Sequence, residues 1–313
     1  MRDASAYLNG QWIRFDDAQV PVWDHAIVQG ATVTDMVRTF GGQPFRLEQH
    51  LRRFGASRAA LGIELPESDQ RLRALASELV DRTRPLVPDG GDFGLLMFAS
   101  PGPYPGYMGF ASTEPDATRA SPSRHTLCLH PFTLAFKRFH QSYGNGVALS
   151  VPQIRQIPAS SLPPGIKYRS RLHWYLAERQ ARSIDPQSSA LLLDEHNCVT
   201  ETNSGNLFVV YHGQLLTPRA ETTLSGISQE FVMELARAAG MPVERVDLSR
   251  DFVARVDEAF LTSTTYCLMP VTRLDNLPIG DGRPGPVFRQ LLSSWSQAVS
   301  VDLRAQAEQL SQL

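Results

Sequence analysis

A chain of 313 residues with 42% hydrophobic and 20% charged side chains has the length of about two domains, and this composition excludes a disordered or fibrous protein. Thirty basic residues against thirty-two acidic ones leave a formal charge of −2, which excludes the global positive field that would hold a protein on a phosphate backbone or an anionic bilayer. Neither nucleic acid nor membrane is therefore expected as a partner. No apolar run reaches the ~20 residues of a membrane span, and the opening MRDASAYLNGQWIRF lacks the apolar core of a signal peptide, so a cytoplasmic location is expected.

In chain order, AYLNGQWIRF alternates around Asn9-Gly10 and predicts a hairpin with a type I′ turn; VTDMVRTFGGQPFRL repeats the pattern around Gly41-Gly42. LEQHLRRFGASRAALGI places Leu47, Leu51, Phe54, Ala59 and Leu61 at helical spacings, and a second helix is predicted from Asp69 to Arg82. LLMFAS and HTLCLHPF read as further strands, so residues 1–133 are expected to form a small N-terminal α+β domain. Residues 101–124 between them are rich in Gly, Pro, Ser and Thr, and a loop of that length suggests a lid over residues 101–123. A larger C-terminal domain with α/β character, residues 134–313, follows: strand VALSVP, a helix from about Arg169 to Arg182, strand ALLLDE, hairpin CVTETNSGNLFVVYHGQLLT, helix SQEFVMELARAAG and strand EAFLTSTT. Cys128, Cys198 and Cys267 are odd in number, widely spaced and without a CxxC pair. They read as small core residues, and neither a disulfide framework nor a metal site is expected.

Three pieces of the second half carry chemistry at element ends. In PPGIKYRSRLHWYL, Lys167 follows Gly165, which lets the backbone turn; Arg169 and Arg171 could lower its pKa from about 10.4 if they face the same way, although a solvated helix face would show the same pattern. In TETNSGNLFVV, Glu201 lies between a strand and a turn and points opposite to Thr200 and Thr202, as a functional carboxylate or as an exposed hairpin residue. In LSGISQEFVMELA, Gly226 leads into a helix whose first amides, with the Ser228 hydroxyl, form an anion pocket or an ordinary cap. An amine able to form an imine, a carboxylate for a ring nitrogen and a helix terminus for a phosphate are together the contacts that pyridoxal 5′-phosphate needs.

From YLNGQWIRF to STTYCLMPVTRLD the chain resembles the fold-type IV pyridoxal-phosphate enzymes, which include branched-chain aminotransferases, D-amino-acid aminotransferases and aminodeoxychorismate lyases. HLRRFGAS is similar to the family's His-x-x-Arg-Leu helix and implies Arg53 as the clamp of the cofactor phosphate. Lys167 matches the Schiff-base lysine and catalytic base. TETNSGNLFVV resembles the Glu-x-x-x-x-Asn-(Leu/Val)-Phe hairpin, which implies Glu201 on the pyridine nitrogen and Asn206 beside it. LSGIS resembles the Gly-Ile-Thr phosphate loop, giving Gly226, Ile227 and Ser228, with Thr264 of TSTT as a further phosphate donor. The resemblance implies a D-amino-acid aminotransferase-like fold, transamination between an amino acid and a 2-oxo acid, and a homodimer.

Substrate choice follows from the departures. The D-amino-acid enzymes carry an arginine after the strand matched by LLMFAS, where this chain reads ASPGPYPGY. Asp35 and Arg38 in TVTDMVRTF fall where branched-chain enzymes have Glu-Gly-Ile-Arg, and Thr264, Thr265 and Tyr266 match their carboxylate-binding loop. Thr34 replaces a bulky aromatic and Leu172 a tyrosine, so the pocket is expected to differ in shape. The resemblance thus implies Thr34, Asp35, Arg38, Thr265 and Tyr266 as substrate contacts, and branched-chain-type L-amino acids with 2-oxoglutarate as the expected pair. KYRSRL also resembles the Lys-x-x-Asn-Arg-Leu of the lyases. A carbon–carbon lyase releasing pyruvate, or a D-amino-acid or (R)-amine aminotransferase, is the alternative.

Overall fold

The structure, a computed structural model, describes residues 3–107 and 125–312. The expected lid lies outside the described residues from position 108 onward. The chain divides into two compact units: residues 1–134 with 166–170, and residues 135–165 with 171–313.

In the first unit β1 (Ser5–Leu8) and β2 (Gln11–Arg14) form the predicted hairpin. Asn9 and Gly10 take the left-handed φ values of +48° and +94° that a type I′ turn requires. After α1 (His25–Val28), β3 (Val33–Phe40) turns through Gly41-Gly42 into β4 (Gln43–Pro44). Helices α2 (Leu47–Ala60) and α3 (Asp69–Thr83) follow, then β5 (Phe93–Ser100) and β6 (Thr126–Thr133). Their sheet runs in the order β2-β1-β6-β5-β3-β4, and α2 packs on β3. Strand side chains alternate between faces, so Val33, Asp35 and Val37 share one face. Val33 and Val37 enter a core with Leu51 and Phe54 of α2 and Leu72, Leu75 and Leu79 of α3. A carboxylate therefore stands in the middle of an apolar row.

The second unit contains α4 (Phe136–Asn145), β7 (Val147–Ser150), α5 (Leu172–Ile184), β8 (Ser188–Leu193), β9 (Val199–Thr202), β10 (Asn206–Tyr211), β11 (Gln214–Thr217), α6 (Ile227–Ala238), β12 (Val243–Arg245), α7 (Arg250–Val253), β13 (Glu258–Ser263), β14 (Cys267–Leu274), β15 (Leu277–Pro278), α8 (Pro286–Val299) and α9 (Leu303–Leu310). β9 pairs with both β8 and β10, so the ladder β10-β13-β14-β7-β8-β9 returns to β10 and closes a ring. Two parallel pairs, β7 with β8 and β11 with β12, are joined by crossovers that carry α5 and α6.

Two expectations shift. The helix predicted from about Arg169 starts at Leu172, because residues 166–170 stay extended against the start of β3: Thr34 N donates to Lys167 O and Arg169 N to Thr32 O, each at 2.8 Å. Backbone groups committed to a strand edge cannot also enter a helical ladder. Cys198 is half-buried, whereas Cys128 and Cys267 are buried, and all three thiols are unbridged. Helices α4, α8 and α9 are additions to the sequence expectation. Among the described residues, no helix is long and apolar enough to cross a membrane.

Candidate active site

In the first unit the site residues are gathered by one face of α2. His50, Arg53 and Ser57 are spaced three and four apart, which brings them onto one side of the helix, facing β3 and the extended segment. Ser57 Oγ accepts a hydrogen bond from Lys167 N at 3.1 Å, while Lys167 O accepts from Thr34 N. Lys167 is thereby pinned by its backbone to a helix on one side and a strand on the other.

The Asp35 carboxylate, next to Thr34 along β3, has no exposed surface. Arg53 Nε donates to Oδ2 and Arg53 Nη2 to Oδ1, both at 2.8 Å; Met36 N also donates to Oδ1 at 2.8 Å, and His50 Nδ1 lies 2.7 Å from Oδ1. Burial alone would raise the Asp35 pKa, but the charges and hydrogen bonds of Arg53 and His50 outweigh it and hold the carboxyl well below the usual range. His50 moves down as well, chiefly by burial, with Asp35 opposing and the positive charges of Arg53 and Lys167 adding to the fall. A neutral imidazole beside an ionised carboxylate must carry its proton on Nδ1, since the carboxylate only accepts. The Lys167 charge thus reaches His50, as do those of Asp35 and Arg53.

In the second unit the β9–β10 hairpin sets Glu201 directly opposite Asn206. Asn206 Nδ2 donates to Glu201 Oε2 at 3.2 Å and to Leu224 O at 3.0 Å, and Leu224 N donates to the same Oε2 at 3.3 Å. Arg171 braces the hairpin tip through the carbonyl and side-chain oxygens of Asn203, and its guanidinium lies 5.8 Å from the centre of the Trp174 ring. Two glycines admit this packing: a Cβ on Gly226 would stand 2.1 Å from Asn206 Oδ1, and one on Gly205 would stand 2.3 Å from Tyr266 Oη and 2.6 Å from Thr262 O. Gly226 opens the 12-residue α6 without a side-chain cap, and Ile227 and Ser228 in its first turn are buried. First-turn amides and a buried hydroxyl are the donors an anion would use.

The β13–β14 loop carries half-buried Thr264 and Thr265 and buried Tyr266, whose carbonyl accepts from Tyr143 Oη at 2.8 Å. Burial pushes the Tyr266 phenol up to about 12. Cys267, which closes the loop, is buried with φ of +61°, a left-handed conformation costly for a residue with a side chain.

The structure thus brings Lys167 and Arg53 together in one unit, and Glu201, Asn206, Gly226, Ile227 and Ser228 in the other. Asp35, expected among the substrate contacts, directs its carboxylate at Arg53 and His50 because the strand period places it on the core face. Arg38 lies on the opposite face, 2% exposed and 4.6 Å above the Phe40 ring, and Thr34 Oγ1 donates to Met97 O at 2.8 Å. His50 and Ser57 were not expected in the site; their spacing around Arg53 in HLRRFGAS is the signal that marks them. Among the described residues no group of three or more His, Cys, Asp and Glu converges on a metal position.

Comparison with known proteins adds to this geometry. The family model described as amino-transferase class IV matches residues 32–274. D-alanine aminotransferase of Bacillus licheniformis is 26% identical over 294 residues, which cover 93% of this chain and 95% of that protein. A putative branched-chain-amino-acid aminotransferase of Methanocaldococcus jannaschii is 26% identical over 288 residues, covering 91% and 93%. Among solved structures, the T.th. branched-chain amino acid aminotransferase complexed with N-(5′-phosphopyridoxyl)-L-glutamate superposes with a TM-score of 0.81 at 26% identity, over 97% of this chain and 96% of that one.

Proposed function

The chain belongs to the amino-transferase class IV family, and on that premise we propose that it uses pyridoxal 5′-phosphate to move an amino group between branched-chain-type L-amino acids and 2-oxoglutarate. The observation that carries this reading is the pinning of the Lys167 backbone between Ser57 and Thr34, with the charges of Lys167 and Arg53 both acting on His50. The donor set fits the cofactor: a lysine amine, a guanidinium 12% exposed, a carboxylate fixed by Asn206, and a helix start that is closed to a Cβ and has no side-chain cap.

The roles follow from these placements. Lys167 Nζ would hold the cofactor by its aldehyde carbon and, once freed by the substrate amine, would carry the proton from the substrate Cα to that same carbon. Arg53 would hold the phosphate by charge-assisted hydrogen bonds; the first amides of α6, with Ser228 and Thr264, are the phosphate donors that the second unit offers. Glu201, its position set by Asn206 and Leu224, would keep the ring nitrogen protonated. When bound, the cofactor supplies the electron sink for the pair released from Cα.

Relatives named for D-alanine and for branched-chain substrates are equally distant, at 26% identity, so the sequence supplies the preference: PGPYPGY after β5 has no arginine for a D-substrate carboxylate. Arg171 is engaged with the Asn203 hairpin tip, a bracing role that does not call for the lyase reading. Incubation of the holoprotein with 2-oxoglutarate and either L-leucine or D-alanine, following glutamate formation, is expected to show turnover with L-leucine. Faster turnover with D-alanine would move the substrate assignment, and pyruvate release from aminodeoxychorismate would favour the lyase. Absence of amino transfer from any donor would remove the aminotransferase reading. Lys167→Ala is expected to abolish turnover and the visible absorbance of the bound cofactor. A homodimer is part of the same proposal: α5 presents Leu172, Tyr175 and Leu176, spaced three and four apart and 70%, 61% and 39% exposed, as an apolar stripe that a second copy would cover. Light scattering at twice the mass of one chain is the expected result.

A further inference from the structure

Asp35 is a buried charge that the proposed chemistry does not use. It stands between Val33 and Val37 on the core face of β3, where an uncompensated carboxylate would be strongly disfavoured. What compensates it is specific. Arg53 approaches side-on, through Nε and Nη2, so both Asp35 oxygens are engaged and the guanidinium plane is fixed by two parallel bonds. His50 and Met36 N secure the carboxylate from other directions. Arg53 has a long side chain with many rotamers open to it when unconstrained; paired in this way it is held in one orientation. A planar fork whose Nε edge is occupied directs the Nη1 edge away from that partner.

We propose that Asp35, with His50 behind it, is a positioning residue for phosphate recognition: it orients the Arg53 guanidinium so that the edge directed away from Asp35 meets the phosphate of pyridoxal 5′-phosphate without reorganisation. This rests on the cofactor reading above. Asp35 does not touch the cofactor and acts through Arg53, so its removal weakens only ligands that carry the phosphate. An ion pair serving stability alone would carry no such selectivity.

The experiment is a pair of titrations of the apoprotein, followed by absorbance and tryptophan fluorescence, one with pyridoxal 5′-phosphate and one with pyridoxal, which has the aldehyde and ring but no phosphate. For Asp35→Asn the expected result is a Kd for pyridoxal 5′-phosphate raised by about tenfold or more, the scale of one oriented contact to a charged group, with the pyridoxal Kd unchanged. An unchanged Kd for the phosphorylated ligand, or an equal loss for both, overturns the inference while leaving the cofactor reading standing; a wild-type protein that binds neither ligand removes both. Should Asp35→Asn not fold, Arg53→Gln is compared with the double variant Asp35→Asn/Arg53→Gln, which removes both charges of the pair. The expected outcome is equal affinity of these two variants for pyridoxal 5′-phosphate, since Asp35 has nothing left to orient; a further loss in the double variant overturns the inference.

Discussion

The lysine-bearing cluster and the glutamate-bearing cluster are held by different forces. In the first unit, geometry is imposed by charge: a carboxylate with no exposed surface is satisfied by Arg53, His50 and a backbone amide, and the helix that carries Arg53 also carries the serine that anchors Lys167. In the second unit it is imposed by shape and by hydrogen bonds from uncharged donors: Asn206 bridges Glu201 and Leu224, and the gap it occupies exists because residue 226 has no side chain. Charge holds direction stringently but fails when one partner is removed. Shape tolerates the loss of a polar group better than the addition of a methyl.

The comparison breaks most visibly at Asp35. Asp35→Ala leaves the Arg53 guanidinium, 12% exposed, without its counterion, and removing one partner of a buried pair costs about 3–5 kcal/mol. A urea midpoint within experimental error of the wild type would show that the first cluster is not built on charge. In the second unit the counterpart is Gly226→Ala. The added Cβ meets Asn206 Oδ1 at 2.1 Å and Gln229 Cβ at 3.1 Å, an overpacking expected to cost about 1–3 kcal/mol and to displace Asn206 from Glu201. Gly205→Ala offers a second reading of the same principle against Tyr266 and Thr262. Smaller again is Asn206→Ala: it removes two neutral or charge-assisted donations and leaves Leu224 O with one partner fewer, an expected loss of about 1–2 kcal/mol. If Asn206→Ala proves costlier than Gly226→Ala, polar satisfaction rather than shape dominates the second cluster.

The same contrast explains what could be read from the residues alone. The β1–β2 hairpin was legible because Asn9-Gly10 is a local rule that no distant contact needs to support. Lys167, Glu201 and Gly226 were legible because they stand at turns, where composition and chemistry coincide. The partners that fix them were not. His50 and Ser57 are polar residues on the buried face of α2, and a search for apolar periodicity takes Ala59 instead, which is exposed. The extended course of residues 166–170 depends on backbone pairing with β3, more than a hundred residues away in sequence, so local propensity extends α5 too far. Helix α8 begins at Gly285-Pro286, a local start signal, but its first amides, those of Val287 and Phe288, are capped by Glu258 from β13 at 2.9 and 3.0 Å. Long-range capping of that kind leaves no trace in a short window.

Acid offers the finest test of the two clusters. Histidines held below their usual pKa by burial near positive charge occur in both units: His50 and half-buried His130 in the first, and half-buried His173 on α5 in the second, where burial and the Arg171 charge bring its pKa down to about 4. An unfolded histidine titrates near 6.5, so between about pH 6.5 and 4 the unfolded chain holds a proton that folded His173 does not. Stability is therefore fully retained above the upper limit and falls as pH drops through that window. Asp35 acts lower: its folded pKa lies beneath the unfolded value, so its contribution persists above about pH 4 and is lost only on further acidification. Urea midpoints at pH 7.5 and 5.0 separate these effects, because Asp35 is ionised in both folded and unfolded chains at either pH. His173→Gln is expected to reduce the acid-induced loss by on the order of 1 kcal/mol, the half-buried position of the ring scaling down the full linkage. Any loss that remains in that variant is assigned to His50 and His130 of the first unit; an undiminished loss would place the whole acid response outside α5.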